Sequence, residues 1–211
     1  WRHRADIPLR RELKAQRAAR LQGPKISIIV PLYNTPAKLF DEMLQSVVRQ
    51  TYTNWELVLV DASDADKRLE HRLPKAVPGT IVYEPIENGG IALNTTRGFA
   101  LAHGEYITLL DHDDVLYPNA LFEVVQTIQN TGADFVYSDE IVLSADLKEL
   151  GGYHFKPDFA PDYLRGVNFI THLAVFSRPL LDAAGAYESK EFDGAQDHDL
   201  ILRLTEKAQR I

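Results

Sequence analysis

The sequence predicts an α/β fold built on a mostly parallel sheet flanked by helices. Three observations predict it. Short apolar, β-branched runs alternate with amphipathic stretches from residue 25 to residue 139, the pattern that right-handed strand–helix–strand units produce. The 211 residues are 45% hydrophobic, enough to fill the core of one ample domain. Finally, the apolar run Tyr106–Leu110 stops on Asp111-His112-Asp113-Asp114. A buried strand ending in three carboxylates suits the carboxyl edge of an open α/β sheet, where ligands bind.

Taken in order, residues 1–23 hold seven Lys/Arg against two Asp/Glu, a charge of +5 that leaves −12 on the remainder. With Leu9, Leu13 and Leu21 among the arginines, residues 1–24 read as a linker helix. The alternative is a basic segment that docks on anionic lipid or on a preceding domain. Lys25–Pro31 is the first strand, closed by Pro31. Tyr33-Asn34-Thr35-Pro36 turns the chain into a helix whose inward stripe is Leu39, Met43, Leu44, Val47 and Val48. Trp55–Val60 is the second strand and ends on Asp61; Thr80–Glu84 is the third. Asn88-Gly89-Gly90 leads into the helix Ile91–Ala102, its glycines permitting close backbone approach to a ligand.

Beyond the acidic run, Pro118–Thr131 is a helix with Leu121, Val124, Val125 and Ile128 inward, for which Asp114 is a candidate N-cap. Ala133–Tyr137 is the next strand, followed by Asp139 and Glu140. Residues 141–170 read as irregular and rich in Gly, Pro and aromatics, a kind of segment that is often functional. His172–Ser177 reads as a strand, Pro179–Gly185 as a short helix, and Asp199–Lys207 as a last helix entered through an acidic stretch.

Composition excludes several classes. Cysteine is absent, which removes disulfides and thiolate metal sites. No run approaches the roughly 18 apolar residues of a membrane span, and the Arg-rich start lacks the apolar region of a signal peptide. The acidic body argues against nonspecific nucleic-acid binding. Neither GxGxxG nor GxxxxGK occupies the first strand-to-helix turn. With no initiator Met and a helical pattern broken at Ile211, the chain reads as a piece of a longer protein.

The residues alone leave roles open. Asp-His-Asp-Asp reads as a metal or phosphate site or as a capping loop, although capping needs one carboxylate rather than three. Asp61 suits a ribose hydroxyl or a base N–H, or else caps the loop from Ser63. His112 points to the core by alternation, and His198 reads as a surface or helix-start residue.

An ordered set of motifs adds to this reading. They are VPLYN at 30–34, LVLVD at 57–61, NGGIALN at 88–94, GEYITLLDHDD at 104–114, VYSDE at 136–140, KPDFAPD at 156–162 and DGAQDHDL at 193–200. In this order they resemble glycosyltransferase family 2, enzymes of the GT-A fold, over about residues 25–211. The chain is most similar to the bacterial branch that builds O-antigen, rhamnan or other surface polysaccharides. The resemblance implies metal-dependent transfer, with inversion, from a UDP- or dTDP-type sugar donor to a hydroxyl of a glycan or lipid-linked acceptor. A non-catalytic nucleotide-sugar-binding module of a multidomain protein is the alternative. The implied location is cytoplasmic, with the inner membrane face within reach of the basic segment.

The resemblance also assigns residues. Pro31, Tyr33, Asp61, Asn88, Gly90 and Asp111 form the nucleotide-sugar site, with Tyr33 beside the base, Asp61 accepting from it, and Asp111 near ribose and phosphate. Asp113 holds Mg2+ or Mn2+ and Asp197 is the general base; the residues alone, as a second strand-end carboxylate pair, leave Asp139 and Glu140 open between the acceptor side and loop structure. Two positions depart from the family pattern: Gln196-Asp197 replaces the usual Glu-Asp pair, and Thr96 stands where close relatives often place Asn. A further metal-holding His, and the end of the domain, are expected beyond Ile211. The chemistry is coherent: a cation neutralises the departing diphosphate and a carboxylate takes the acceptor's proton.

Overall fold

The computed structural model describes residues 9–144, 146–187 and 193–211. The amino-terminal segment forms helix α1 (Arg10–Ala19). There follow β1 (Ile26–Leu32), α2 (Ala37–Val48), β2 (Trp55–Asp61), β3 (Thr80–Pro85), α3 (Ile91–Leu101) and β4 (Tyr106–Leu109). Next come α4 (Ala120–Thr131), β5 (Phe135–Tyr137), the pair β6 (Glu140–Leu143) and β7 (Leu150–His154), and α5 (Pro161–Gly166). The chain closes with β8 (Ala174–Ser177), α6 (Arg178–Ala184) and α7 (Gln196–Lys207). Among the described residues no helix is long and apolar enough to cross a membrane.

Six strands form one sheet in the order β3-β2-β1-β4-β8-β5, and β6 and β7 form a separate antiparallel pair. β1 pairs in parallel with β2 on one side and β4 on the other. β8 runs antiparallel to both β4 and β5. Alternate residues of β1 feed opposite layers. Ile26, Ile28 and Val30 pack with Phe40, Met43 and Val47 of α2 and Leu121 and Val125 of α4. Ile29 packs on the other face with Ala92 and Phe99 of α3 and with Leu200, Ile201 and Leu204 of α7. Covered on both faces, β1 and β2 read as continuous apolar runs rather than as alternating ones.

Register shapes the carboxyl edge. Leu32 of β1 lies opposite Asp61, whereas β4 stops at Leu109, opposite Ile29. β1 therefore runs three residues past the end of β4, roughly 10 Å of strand. The acidic turn leaves the sheet into this notch, at the point where strand order reverses. At the opposite edge Glu56, 3% exposed, accepts from Ser27 Oγ at 2.6 Å and from the His103 N–H. Ser27 Oγ in turn accepts from the Gly104 N–H at 2.7 Å, so the buried carboxylate is satisfied and ties β1, β2 and the entry to β4 together.

The structure departs from the sequence reading in four places. Residues 141–170 are not wholly irregular: they hold β6, β7 and α5. Gly151-Gly152 removes the side chains that mark a strand, which conceals β7. α4 begins at Ala120 with Asn119 at its N-cap position, so Asp114 does not cap it. β8 begins at Ala174, which leaves His172 outside the strand. α7 begins at Gln196 rather than at 199, which takes Asp197 into its first turn.

Close packing of α3 on the sheet gives a test. A Cβ at Gly98 would collide with Ile29 Cγ2 and meet Val60 Cγ2 at 3.3 Å. Alanine gains about 1 kcal/mol of helix propensity over glycine, but overpacking a closed core costs about 1–3 kcal/mol. Gly98→Ala should therefore lower the denaturant midpoint in urea unfolding, against the helix-propensity trend; a raised midpoint would show that α3 stands off the sheet.

Candidate active site

The loops that follow β1 and β2 clasp one another. Asn34, at φ 49°, donates its backbone N–H to Ser63 Oγ at 2.8 Å. Its side-chain amide donates to Asp64 Oδ2 at 3.1 Å and accepts from the Asp64 N–H at 3.2 Å. Asp61 lies beneath this clasp and is wholly buried. Oδ1 accepts from the Ser63 N–H at 2.9 Å and Oδ2 from Tyr83 Oη at 2.5 Å. Burial, reinforced by Asp61, pushes the Tyr83 hydroxyl well above its usual range, so it stays a donor. One oxygen of Asp61 thus serves the loop after β2 and the other ties it to β3. Tyr33, by contrast, is 52% exposed at the edge. Pro31 lies half-buried within β1.

The turn before α3 is equally organised. Asn88 Oδ1 accepts from the Gly90 N–H at 3.0 Å and from Asn94 Nδ2 at 3.1 Å, while Asn94 Oδ1 accepts from the Gly89 N–H at 3.0 Å. Gly90 sits at φ 93°, a conformation that favours glycine. Asp193 reaches across to accept the Ala92 N–H at 3.0 Å, satisfying one of the donors that a helix start leaves open. Thr96 donates to the Tyr187 carbonyl at 3.0 Å and accepts the Tyr187 N–H at 3.1 Å. Asn88 and Gly90 thus shape the turn through internal bonds.

The centre of the site is the acidic turn. Among the described residues Asp111, Asp114 and His172 bring one ligand atom each to within 4.8 Å of one another. Asp111 Oδ2 lies 3.4 Å from His172 Nε2. That bond holds the Asp111 carboxyl below its usual range against the effect of burial. Burial pushes the Asp114 carboxyl up; the His172 charge pulls it back, and Asp111 and Asp113 push it further. His172 is pushed up to about 9, by its bond to Asp111 first and by the charges of Asp111, Asp114 and Asp197 after it. Two carboxylates and an imidazole at this spacing fit a divalent cation, whose ligand shell they would begin. Asp113, assigned to the metal by resemblance, is exposed and lies outside the group. Asp114 and His172 are members of the group that the sequence reading did not assign to the metal.

Asp197 completes the arrangement from another element. It stands in the first turn of α7 and shares one cleft with His172, Thr171 and Leu109. Burial pushes its carboxyl up, the charge of Asp111 adds to this, and His172 opposes it. The turn is pinned by Tyr187 Oη, which donates to the Gln196 carbonyl at 2.9 Å, and by His198 Nε2, which meets the Leu164 carbonyl at 2.6 Å. Gln196 accepts the Gly194 N–H at 2.6 Å through its side chain. His112 is half-buried in the acidic turn rather than in the core.

Asp139 and Glu140 face the irregular stretch before β8. Asp139 Oδ1 accepts the Lys156 N–H at 2.7 Å. The Glu140 carboxylate meets His154 Nδ1 at 2.8 Å, Thr171 Oγ1 at 2.9 Å and Lys156 Nζ at 3.3 Å. Both carboxylates of the sequence-predicted acceptor side thus already have partners within the chain.

Comparison with known proteins identifies the family and the fold. The sequence model for glycosyl transferase family 2 matches residues 27–179. An uncharacterized protein, y4gI, of Sinorhizobium fredii is 41% identical over 199 residues, 90% of this chain and 21% of its own length. The O-antigen biosynthesis protein RfbC of Myxococcus xanthus is 34% identical over 212 residues, 98% of this chain and 16% of its own. The chain therefore spans only a small part of these longer relatives. S. aureus TarS 1-349 in complex with UDP superposes at a TM-score of 0.72 and 22% identity, over 89% of this chain and 56% of that one. The mannosyltransferase PcManGT of Pyrobaculum calidifontis, in complex with GDP-Man and Mn2+, superposes at 0.59 and 22% identity, over 87% and 52%. The fold is that of GT-A glycosyltransferases.

The imidazole charge makes stability depend on pH. A histidine whose folded pKa is raised to about 9 stabilises the fold fully below its unfolded value near 6.5. That contribution is lost as pH rises through about 9. In metal-free protein, urea midpoints should fall between pH 6.5 and 9, and His172→Gln should flatten the fall; equal slopes in both proteins would remove His172 from the charge balance.

Proposed function

The chain belongs to glycosyltransferase family 2, and from that premise we propose that it transfers a sugar from a nucleotide-diphosphate donor to a hydroxyl of a surface glycan or its lipid-linked precursor, with inversion. The observation that carries the proposal is that Asp197, from α7, lines one small pocket with His172, which itself meets Asp111 of the acidic turn. A binding module without catalysis has no need of a half-buried carboxylate there.

Asp111, Asp114 and His172 would hold a divalent cation, and an imidazole among oxygen ligands suits Mn2+ better than Mg2+. When bound, that ion supplies positive charge against the departing diphosphate. The chain's own residues do the rest. Tyr33 offers its exposed ring to the base, on a loop that Asn34 and Asp61 hold rigid. The turn at Asn88 to Gly90 brings bare backbone to the donor, as its glycines allow. Asp197 takes the proton of the acceptor hydroxyl as it attacks; its raised carboxyl makes it a stronger base than an exposed aspartate. A base carried on α7, apart from the turn that holds the diphosphate, suits displacement from the opposite side of the sugar. A UDP-type donor is favoured because TarS is seen with UDP and UDP-GlcNAc. An O-antigen-like acceptor is favoured by the likeness to RfbC. The basic α1 would keep the protein near an anionic inner membrane face.

Two experiments on the intact protein test this reading. Asp197→Asn should cut sugar transfer about 10²–10⁴-fold while nucleotide affinity holds, since a base acts on the acceptor rather than the donor. Retained turnover, or a parallel loss of nucleotide affinity, would move the base elsewhere. Calorimetry with Mn2+ and UDP should show a larger loss for Asp114→Asn than for Asp113→Asn. The reverse order would restore Asp113 as the ligand.

A further inference from the structure

A buried charge lies beside the candidate cation group rather than in it. The Lys156 side chain is 3% exposed. Its ammonium lies 3.3 Å from Glu140 Oε2, donates to the Ile170 carbonyl at 3.2 Å, and donates to the His172 carbonyl. These three acceptors use the full donor capacity of a lysine. Glu140 Oε2 also accepts from Thr171 Oγ1 at 2.9 Å. One ion pair thus holds three successive residues, 170, 171 and 172. Residues 167–173 form neither helix nor strand, and pairing with the strand side resumes only where Leu173 accepts the Ser138 N–H at 3.1 Å. The lysine is itself fixed at its root, where Asp139 accepts its N–H at 2.7 Å.

Stability alone is a poor account of this pair. Taking the ammonium out of water costs several kcal/mol, and a well-packed apolar side chain usually does as well or better. What the pair supplies is geometry for the one stretch that carries His172 to the carboxyl edge. We propose that Lys156, braced by Glu140, is a positioning residue: it holds the 170–172 backbone so that the His172 imidazole meets Asp111 and Asp114 in a preformed cation site. Glu140 and Asp139 then serve this support rather than the acceptor's proton. The proposal rests on the reading of Asp111, Asp114 and His172 as metal ligands.

Charge and positioning make opposite forecasts. Removing an ammonium near a cation site raises cation affinity by electrostatics alone; removing a support lowers it, typically 10–100-fold. The test is Mn2+ binding to the 211-residue chain, followed by electron paramagnetic resonance without any sugar donor, with folding checked by circular dichroism. Lys156→Met should weaken Mn2+ binding about 10–100-fold. His172→Ala should weaken it also, and the double variant should be no weaker than His172→Ala alone, because the lysine acts through the histidine. Unchanged or tighter binding in Lys156→Met, or losses that add in the double variant, would overturn the positioning role. Unchanged binding in His172→Ala would instead overturn the metal reading on which it stands. If Lys156→Met does not fold, Thr171→Val leaves the ion pair in place and releases the middle residue. It should still weaken Mn2+ binding several-fold, again only when His172 is present, and unchanged binding would overturn the proposal.

Discussion

Everything at the site depends on β1 being paired on both sides. Because β1 bonds to β2 through Asp61 but to β4 only as far as Leu109, the two neighbours end at different heights. One neighbour tucks its terminal carboxylate beneath a clasped loop; the other releases its carboxylates into an open notch. The same chemical group thus becomes a buried structural acceptor at Asp61 and a candidate ligand at Asp111. Register, set by burial of β1 on both faces, decides between them.

The second constraint is charge. The edge collects Asp111, Asp114 and Asp197 around one imidazole, and like charges this close resist full ionisation. The bond to Asp111 holds the His172 proton firmly, while burial first and neighbouring charge second push the Asp114 and Asp197 carboxyls up. A raised carboxyl on a rigid helix turn is what a general base requires, and concentrated negative charge is what a cation site requires. One electrostatic arrangement therefore serves both halves of the proposed transfer. Below it, the pair of Lys156 and Glu140 carries a buried charge of its own, satisfied by the backbone of the stretch that bears His172.

The strands and helices up to residue 137 were largely legible, because their apolar runs and stripes report burial directly: Leu121, Val124, Val125 and Ile128 all turn inward as their spacing demands. The hairpin β6–β7 was not, since Gly151 and Gly152 carry no side chain to show alternation. The first turn of α7 was hidden for a related reason: Gln196, Asp197 and His198 are polar, and only Tyr187 and the Leu164 carbonyl show why they are helical.

By itself, the sequence determined the class of fold and the crowding of carboxylates where β4 ends, since these follow from local patterns of apolar and acidic residues, and the order of its motifs carried the resemblance to the family. Tertiary structure alone decided which of those groups meet. His172 precedes a strand, which in an all-parallel sheet would leave it at the amino edge. It reaches the carboxyl edge only because β8 runs antiparallel to β4. Asp114 joins it, and Asp113 turns outward, because the turn leaving Leu110 folds back on the Asp111 carbonyl. Strand direction and the path of one turn are long-range outcomes of packing, and no spacing of residues along the chain encodes them.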